Sequence, residues 1–194
     1  MNSSSIYQII NGDSCLCREC QNKLVPHFEN FEIEGIEGLS IYEYDDNFKS
    51  LLYQFKGCYD IELAPIFLNN FKKELHLMYY NYVLIAAPSY YKEDENRGFR
   101  HIEEMFKCIN LQIYYPIKKI KPFKQAENKR RTRKQIGHYL VLKKPDLIKD
   151  KNVLIVDDVS TTGSTLKAII NLVREAKPRK IKILVVSRRV IHWC

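Results

Sequence analysis

Residues Asn152 to Leu166, NVLIVDDVSTTGSTL, constrain the fold more tightly than any other stretch of this chain. Val153-Leu154-Ile155-Val156 is an unbroken apolar run, the pattern of a parallel strand buried on both faces. Two adjacent carboxylates, Asp157 and Asp158, end the run. Ser160-Thr161-Thr162-Gly163-Ser164-Thr165 follows, small and hydroxyl-rich with one glycine. Leu166, Ile169, Ile170 and Val173 then share one face of a helix. The expected order is strand, tight loop, helix.

That order suits an anion. Backbone N–H groups at a helix N-terminus are unpaired and carry roughly half a positive charge. Gly163 permits close backbone approach, and the serine and threonine hydroxyls add donors. The carboxylates stand at the C-terminal end of the strand, where ligands of open α/β sheets sit. They would hold sugar hydroxyls or a magnesium ion, so a ribose 5-phosphate satisfies both halves. A strand end followed by an ordinary helix cap fits the same residues. A Walker-type nucleotide loop does not, because no lysine precedes Ser164 or Thr165.

At 194 residues the chain is long enough to bury one sizeable core with a small appendage. No apolar run approaches the roughly 18 residues of a membrane helix, so no membrane insertion is expected. The opening MNSSSIYQII lacks a basic flank and a cleavage site, and a cytoplasmic protein is the expectation. The net charge of +8 is uneven. Phe28 to Asp46 holds seven carboxylates and no lysine or arginine, whereas Lys118 to Lys134 holds nine basic residues against Glu127. Such asymmetry points to anionic partners on one face, although solubility alone also accounts for a modest positive balance.

Of six cysteines, Cys58, Cys108 and Cys194 are isolated and expected to be reduced. Cys17 and Cys20 have the spacing of half a zinc knuckle. Structural zinc takes four ligands; Cys15 and His27 are the nearby candidates for the remainder.

Elsewhere, Phe48, Leu51, Leu52 and Phe55 predict a helix capped by Asp46 or Asn47 and stopped at Gly57. A second helix is predicted over Ile61–Leu77. Tyr82 to Ala87 reads as a buried strand ended by Pro88, residues 111–117 as a third strand, and Ile181–Val186 as the last. Strands near 83, 112, 153 and 182, separated by helices, predict a parallel α/β sheet.

Val153 to Leu166 resembles the phosphoribosyl-pyrophosphate (PRPP) signature of type I phosphoribosyltransferases. Further segments resemble the ComF/ComFC late-competence branch of that superfamily: Cys17-x-x-Cys20, Tyr44-Asp45, Phe55-Lys56-Gly57, Ala87-Pro88, Arg97-Gly98-Phe99, then Gln125 and Arg133. The resemblance implies a type I phosphoribosyltransferase-like parallel sheet flanked by helices over 41–194. Residues 1–40 would form a partial zinc-ribbon-like segment. The family usually carries two CxxC pairs, and this chain has one, so a Zn2+ site at Cys17 and Cys20 is incomplete.

The resemblance also implies site roles. Asp157 and Asp158 would contact the ribose as catalytic carboxylates, and Ser160, Thr161, Thr162, Gly163, Ser164 and Thr165 would cradle the 5-phosphate. Ala87, Pro88, Ser89 and Arg97 would meet the pyrophosphate and its Mg2+. The implied setting is natural transformation, with single-stranded DNA and a competence helicase as partners. Two readings stay open: a phosphoribosyltransferase whose hood is Lys118–Lys134, or a PRPP- or single-stranded-DNA-binding factor on the same scaffold.

Overall fold

The computed structural model of the protein describes residues 24–89, 91–120 and 140–189. In chain order it contains β1 (Pro26–Ile33), β2 (Ile36–Glu43), α1 (Asp46–Gly57), α2 (Ala64–Leu68), α3 (Lys72–Tyr79) and β3 (Tyr82–Ala86). Then come α4 (Tyr91–Arg97), α5 (His101–Phe106), β4 (Ile113–Tyr114), β5 (Ile117–Lys119), β6 (Leu140–Leu142), β7 (Asn152–Ser160), α6 (Ser164–Glu175) and β8 (Lys180–Arg188).

Six strands form the main sheet in the order β1-β2-β8-β7-β3-β4. Five are parallel; β1 pairs antiparallel with β2 at one edge. The apolar run of β7 therefore sits inside, between β8 and β3. The predicted parallel sheet flanked by helices is what the chain forms. The expected boundary between 1–40 and 41–194 runs through β2, which is bonded on one side to β1 and on the other to β8. The zinc-ribbon-like segment itself, with Cys17 and Cys20, lies outside the described residues.

Strand alternation sends successive side chains to opposite faces. Leu154 and Val156 of β7, with Leu184 and Val186 of β8, pack under α1, α2, α3 and α5. Phe48, Phe55, Phe67 and Phe106 fill that layer. Val153, Ile155, Ile183 and Val185 face α6 through Leu166, Ile169, Ile170 and Val173. Each large apolar side chain so buried contributes about 1.5–3 kcal/mol.

Several local expectations shift. α1 is capped by Asp45, whose Oδ1 accepts the Phe48 N–H at 2.7 Å, not by Asp46 or Asn47. Asp45 is the residue in extended backbone just before the helix, so its carboxylate reaches back to the third helical amide. The predicted helix over 61–77 breaks into α2 and α3, joined by a 3-10 turn at Asn69–Phe71, with Leu68 leaving helical backbone at φ −132°. The predicted strand over 111–117 divides at Tyr115-Pro116. Its first part, β4, joins the main sheet, while β5 pairs with β6 in a separate antiparallel ribbon.

Candidate functional site

Asp157 and Asp158 lie within β7 and not beyond its end, because pairing with β8 continues through Val159 and Ser160. The sequence pattern placed the strand's end at Val156, where apolar residues stop. Backbone pairing does not depend on side-chain polarity, so the ladder runs on. Strand alternation starts the two side chains toward opposite faces, but both carboxylates bend along the strand and stay within reach of each other. Asp158 faces the α1/α5 layer, where it meets Lys56 and His101. Each accepts the next backbone amide at 2.9 Å, Asp157 from Asp158 N–H and Asp158 from Val159 N–H.

Asp158 is 7% exposed and meets Lys56 Nζ at 2.5 Å. His101 Nε2 is 3.7 Å from the same oxygen. Burial alone would raise the pKa of Asp158, but the Lys56 ammonium outweighs it and holds the carboxyl well below the usual range. Burial, together with the neighbouring Asp158 charge, pushes Asp157 well above that range. The pair is thus split into one firmly ionised carboxylate and one that retains a proton more readily.

His101 is buried and lowered to about 3, first by burial and then by the Lys56 and Arg97 charges, which overcome the attraction of Asp158. Its Nδ1 lies 3.0 Å from Arg97 Nη1. A guanidinium only donates, so Nδ1 accepts and the ring proton sits on Nε2, facing Asp158. Arg97 has 8% of its side chain exposed. It also donates from Nη1 to Asp94 Oδ1 at 3.1 Å and from Nε to the Lys56 carbonyl at 3.4 Å. Asp94 in turn accepts the Ser89 hydroxyl at 2.7 Å. Arg97, expected at the pyrophosphate, is therefore engaged inside the protein.

The loop after β7 has a different character. Thr161, Thr162 and Thr165 are exposed, Gly163 and Ser164 half-buried, and Ser160 buried. Gly163 has φ +69°, and a Cβ there would lie 2.9 Å from Ile33 Cδ1. Glycine takes that backbone without strain, and a side chain there would also have to displace the tip of Ile33. α6 begins directly after it with no side-chain cap and no acidic residue in its first turn. Thr162 and Ser164 share a hydroxyl contact at 2.8 Å. Amide donors and hydroxyls are thus presented together at the start of a 12-residue helix.

Ala87 N–H donates to the Val156 carbonyl at 2.8 Å, which fixes the Ala87-Pro88-Ser89 turn beside β7. That turn lines a cavity of about 300 Å3 that continues to Arg100, Tyr115 and Lys118. The sequence-selected residues therefore converge at the C-terminal ends of β7 and β3. Lys56 and His101 join them from α1 and α5. Lys56 stands in the Phe55-Lys56-Gly57 segment, but nothing in its local pattern connects it to a carboxylate 102 positions away. Most of the basic segment lies outside the described residues, including Lys124, Lys129 and Arg133.

Among the described residues no group of three or more His, Cys, Asp and Glu side chains could hold a metal ion. Among them, too, no helix is long and apolar enough to cross a membrane.

The strand that passes carboxylates to a hydroxyl-rich turn and an uncapped helix lies within residues 120–191, which match the phosphoribosyl transferase domain model. The chain is 25% identical over 153 residues to Competence protein ComFC of Bacillus subtilis, covering 78% of this chain and 62% of that protein. It is 22% identical over 200 residues to Competence protein ComFC of Streptococcus pneumoniae, covering 92% and 90%. Together these matches make the chain similar to the ComFC competence proteins and to the phosphoribosyl transferase domain. Among solved structures, a hypoxanthine phosphoribosyltransferase from Staphylococcus aureus aligns at TM-score 0.42 and 15% identity, over 67% of this chain and 75% of that one. The Trypanosoma cruzi hypoxanthine phosphoribosyl transferase aligns at 0.44 and 16%, over 69% and 71%.

Proposed function

We propose that this protein binds PRPP at the C-terminal end of β7 and acts in natural transformation, as the ComFC name of its relatives suggests. The observation that carries the binding reading is the helix start. Gly163 in left-handed backbone opens an uncapped α6 whose first turn holds no acidic side chain, flanked by exposed threonine hydroxyls. A dianionic 5-phosphate gains from both the amide donors and the helix dipole there. The ribose would then reach back to the carboxylates. Asp157 would accept a hydrogen bond from, or donate one to, a ring hydroxyl, whereas Asp158 is held by Lys56.

The donor set does not form a resident magnesium cage, since Asp158 already has a cation in Lys56 and no third His, Cys, Asp or Glu side chain joins the pair among the described residues. It fits an Mg2+ that arrives on the pyrophosphate, the usual manner of magnesium at phosphate sites. When bound, that ion would neutralise the leaving group. In transfer, the C1–O bond to pyrophosphate would break as an acceptor bonds to C1, and the negative charge of the carboxylate pair would lie near the positive carbon. The Ala87-Pro88-Ser89 turn beside β7 would receive the departing pyrophosphate.

Calorimetric titration with PRPP and magnesium is the test. The unmodified protein should bind, and Asp157→Asn with Asp158→Asn should weaken binding by about tenfold or more, the worth of hydrogen bonds to charged groups. Absence of binding to the unmodified protein would remove this reading.

A further inference from the structure

A chain of side chains runs between the two ends of the proposed ligand site. It begins at Ser89, passes through Asp94 to Arg97, and from Arg97 divides to His101 and to the Lys56 carbonyl. Lys56 then closes it on Asp158 through its ammonium at 2.5 Å. Five separate segments contribute: the turn after β3, α4, the end of α1, α5 through His101, and β7.

The burial of these groups gives the chain mechanical meaning. Arg97 has 8% of its side chain exposed, and with Asp94 it ties α4 to α1, α5 and the Ser89 turn. Asp158 is likewise a buried carboxylate whose charge is answered by the Lys56 ammonium. Removing the ammonium leaves that charge uncompensated, and the carboxylate must protonate or turn away.

We propose that Lys56 is a positioning residue that sets Asp158 and, through its backbone contact with Arg97, couples the carboxylate strand to the Ser89 turn, so that the two anionic ends of one ligand are read cooperatively. The proposal rests on the PRPP reading for its ligand but not for its physical content. Lys56 needs no contact with the ligand itself; it acts through Asp158 and Arg97. A network with both ends fixed also explains why Arg97, a cation near a phosphate turn, is spent on internal bonds.

Two measurements decide it. First, hydrogen exchange of the amides of residues 91–97 needs no ligand. Lys56→Met and Asp158→Asn should each speed that exchange by about tenfold, the equivalent of losing one charged hydrogen bond. Lys56→Arg should restore slow exchange. Unchanged exchange in Lys56→Met and in Asp158→Asn, with the fold intact by circular dichroism, overturns the coupling whether or not PRPP binds. Should Lys56→Met fail to fold, Asp158→Asn and Lys56→Arg still decide the matter by the same readout.

Second, titration with PRPP and magnesium in Lys56→Met, Asp158→Asn and the double variant separates positioning from direct contact. The double variant should bind no more weakly than the weaker single variant, because both remove one shared arrangement. Fully additive losses would mean that Lys56 touches the ligand directly, and the positioning role fails. If the unmodified protein binds no PRPP, the functional reading fails alone, and the exchange data still judge the network.

Discussion

The two faces of the main sheet solve the same burial problem with different materials. One is covered by the 12-residue α1 and three shorter helices, α2, α3 and α5, and its core is built on Phe48, Phe55, Phe67 and Phe106 with Tyr42, Tyr79 and Tyr82. The other is covered by α6 alone, also of 12 residues, and by the β5–β6 ribbon, and among the described residues its buried core has no aromatic side chain. Several helices meeting on one face leave gaps between them, and large rings bridge those gaps. A single regular helix lays a continuous aliphatic stripe on the sheet and needs no such filler. The polar groups follow the same division. The many-helix face hosts His101 and Asp158 in a connected network, while α6 meets the site with backbone amides and small hydroxyls. The lesson is that side-chain networks need several elements to supply partners, whereas an anion cradle needs only one helix start.

The largest expected effect tests the packing side of this comparison. Phe67→Ala should cost about 3–5 kcal/mol and Ile169→Ala about 2–5 kcal/mol, both fully buried positions, with the aromatic loss the greater. Denaturant unfolding measures both. Equal or reversed losses would show that the aromatic layer adjusts around its cavity better than the aliphatic one.

A smaller effect sharpens the polar side. His101 in the folded protein sits at about 3, below the ordinary 6.5. Between those values the unfolded chain takes up a proton and the folded chain does not, so the unfolded state gains as pH falls. The contribution of His101 is therefore complete above pH 6.5 and is lost as pH drops toward 3. His101→Gln keeps an acceptor for Arg97 while removing the titration, and should flatten the slope of Tm against pH between 6.5 and 4. Asp157, raised in the fold, acts in the opposite sense above its ordinary 3.8, but it is common to both proteins and cancels in the difference. Parallel slopes in the two proteins would place the imidazolium in solvent.

The smallest effect concerns the opposite face. Ser187 is fully buried on β8 beyond Val185, and its hydroxyl has no hydrogen-bond partner among the described residues. Ser187→Ala removes an unpaired polar atom and should change stability by less than about 1 kcal/mol, toward gain. A loss above that, read from the unfolding midpoint, would reveal a partner for the hydroxyl.

Much of the architecture was legible in residue order. Val153–Val156 and Tyr82–Ala86 mark inner strands because continuous apolar runs suit nothing but burial on both faces. Leu166, Ile169, Ile170 and Val173 mark α6 because their spacing matches the helical repeat. The glycine of the loop was legible too, since its left-handed backbone is a local requirement. The break between α2 and α3 was not, because the apolar spacing continues across Asn69–Phe71 while the backbone does not.

Sequence by itself thus determined the inner strands, the helix that follows β7, and the placing of hydroxyls and acids around one turn. These are set by patterns within some fifteen neighbouring residues, and local chemistry suffices to specify them. Only the tertiary structure decided that β7 keeps pairing past Asp157 and Asp158, that Lys56 answers Asp158, and that Arg97 is turned inward. Each depends on where β7 stops pairing and on which helix the sheet brings against it. Charges separated by 102 positions have no common signal until folding removes the water between them.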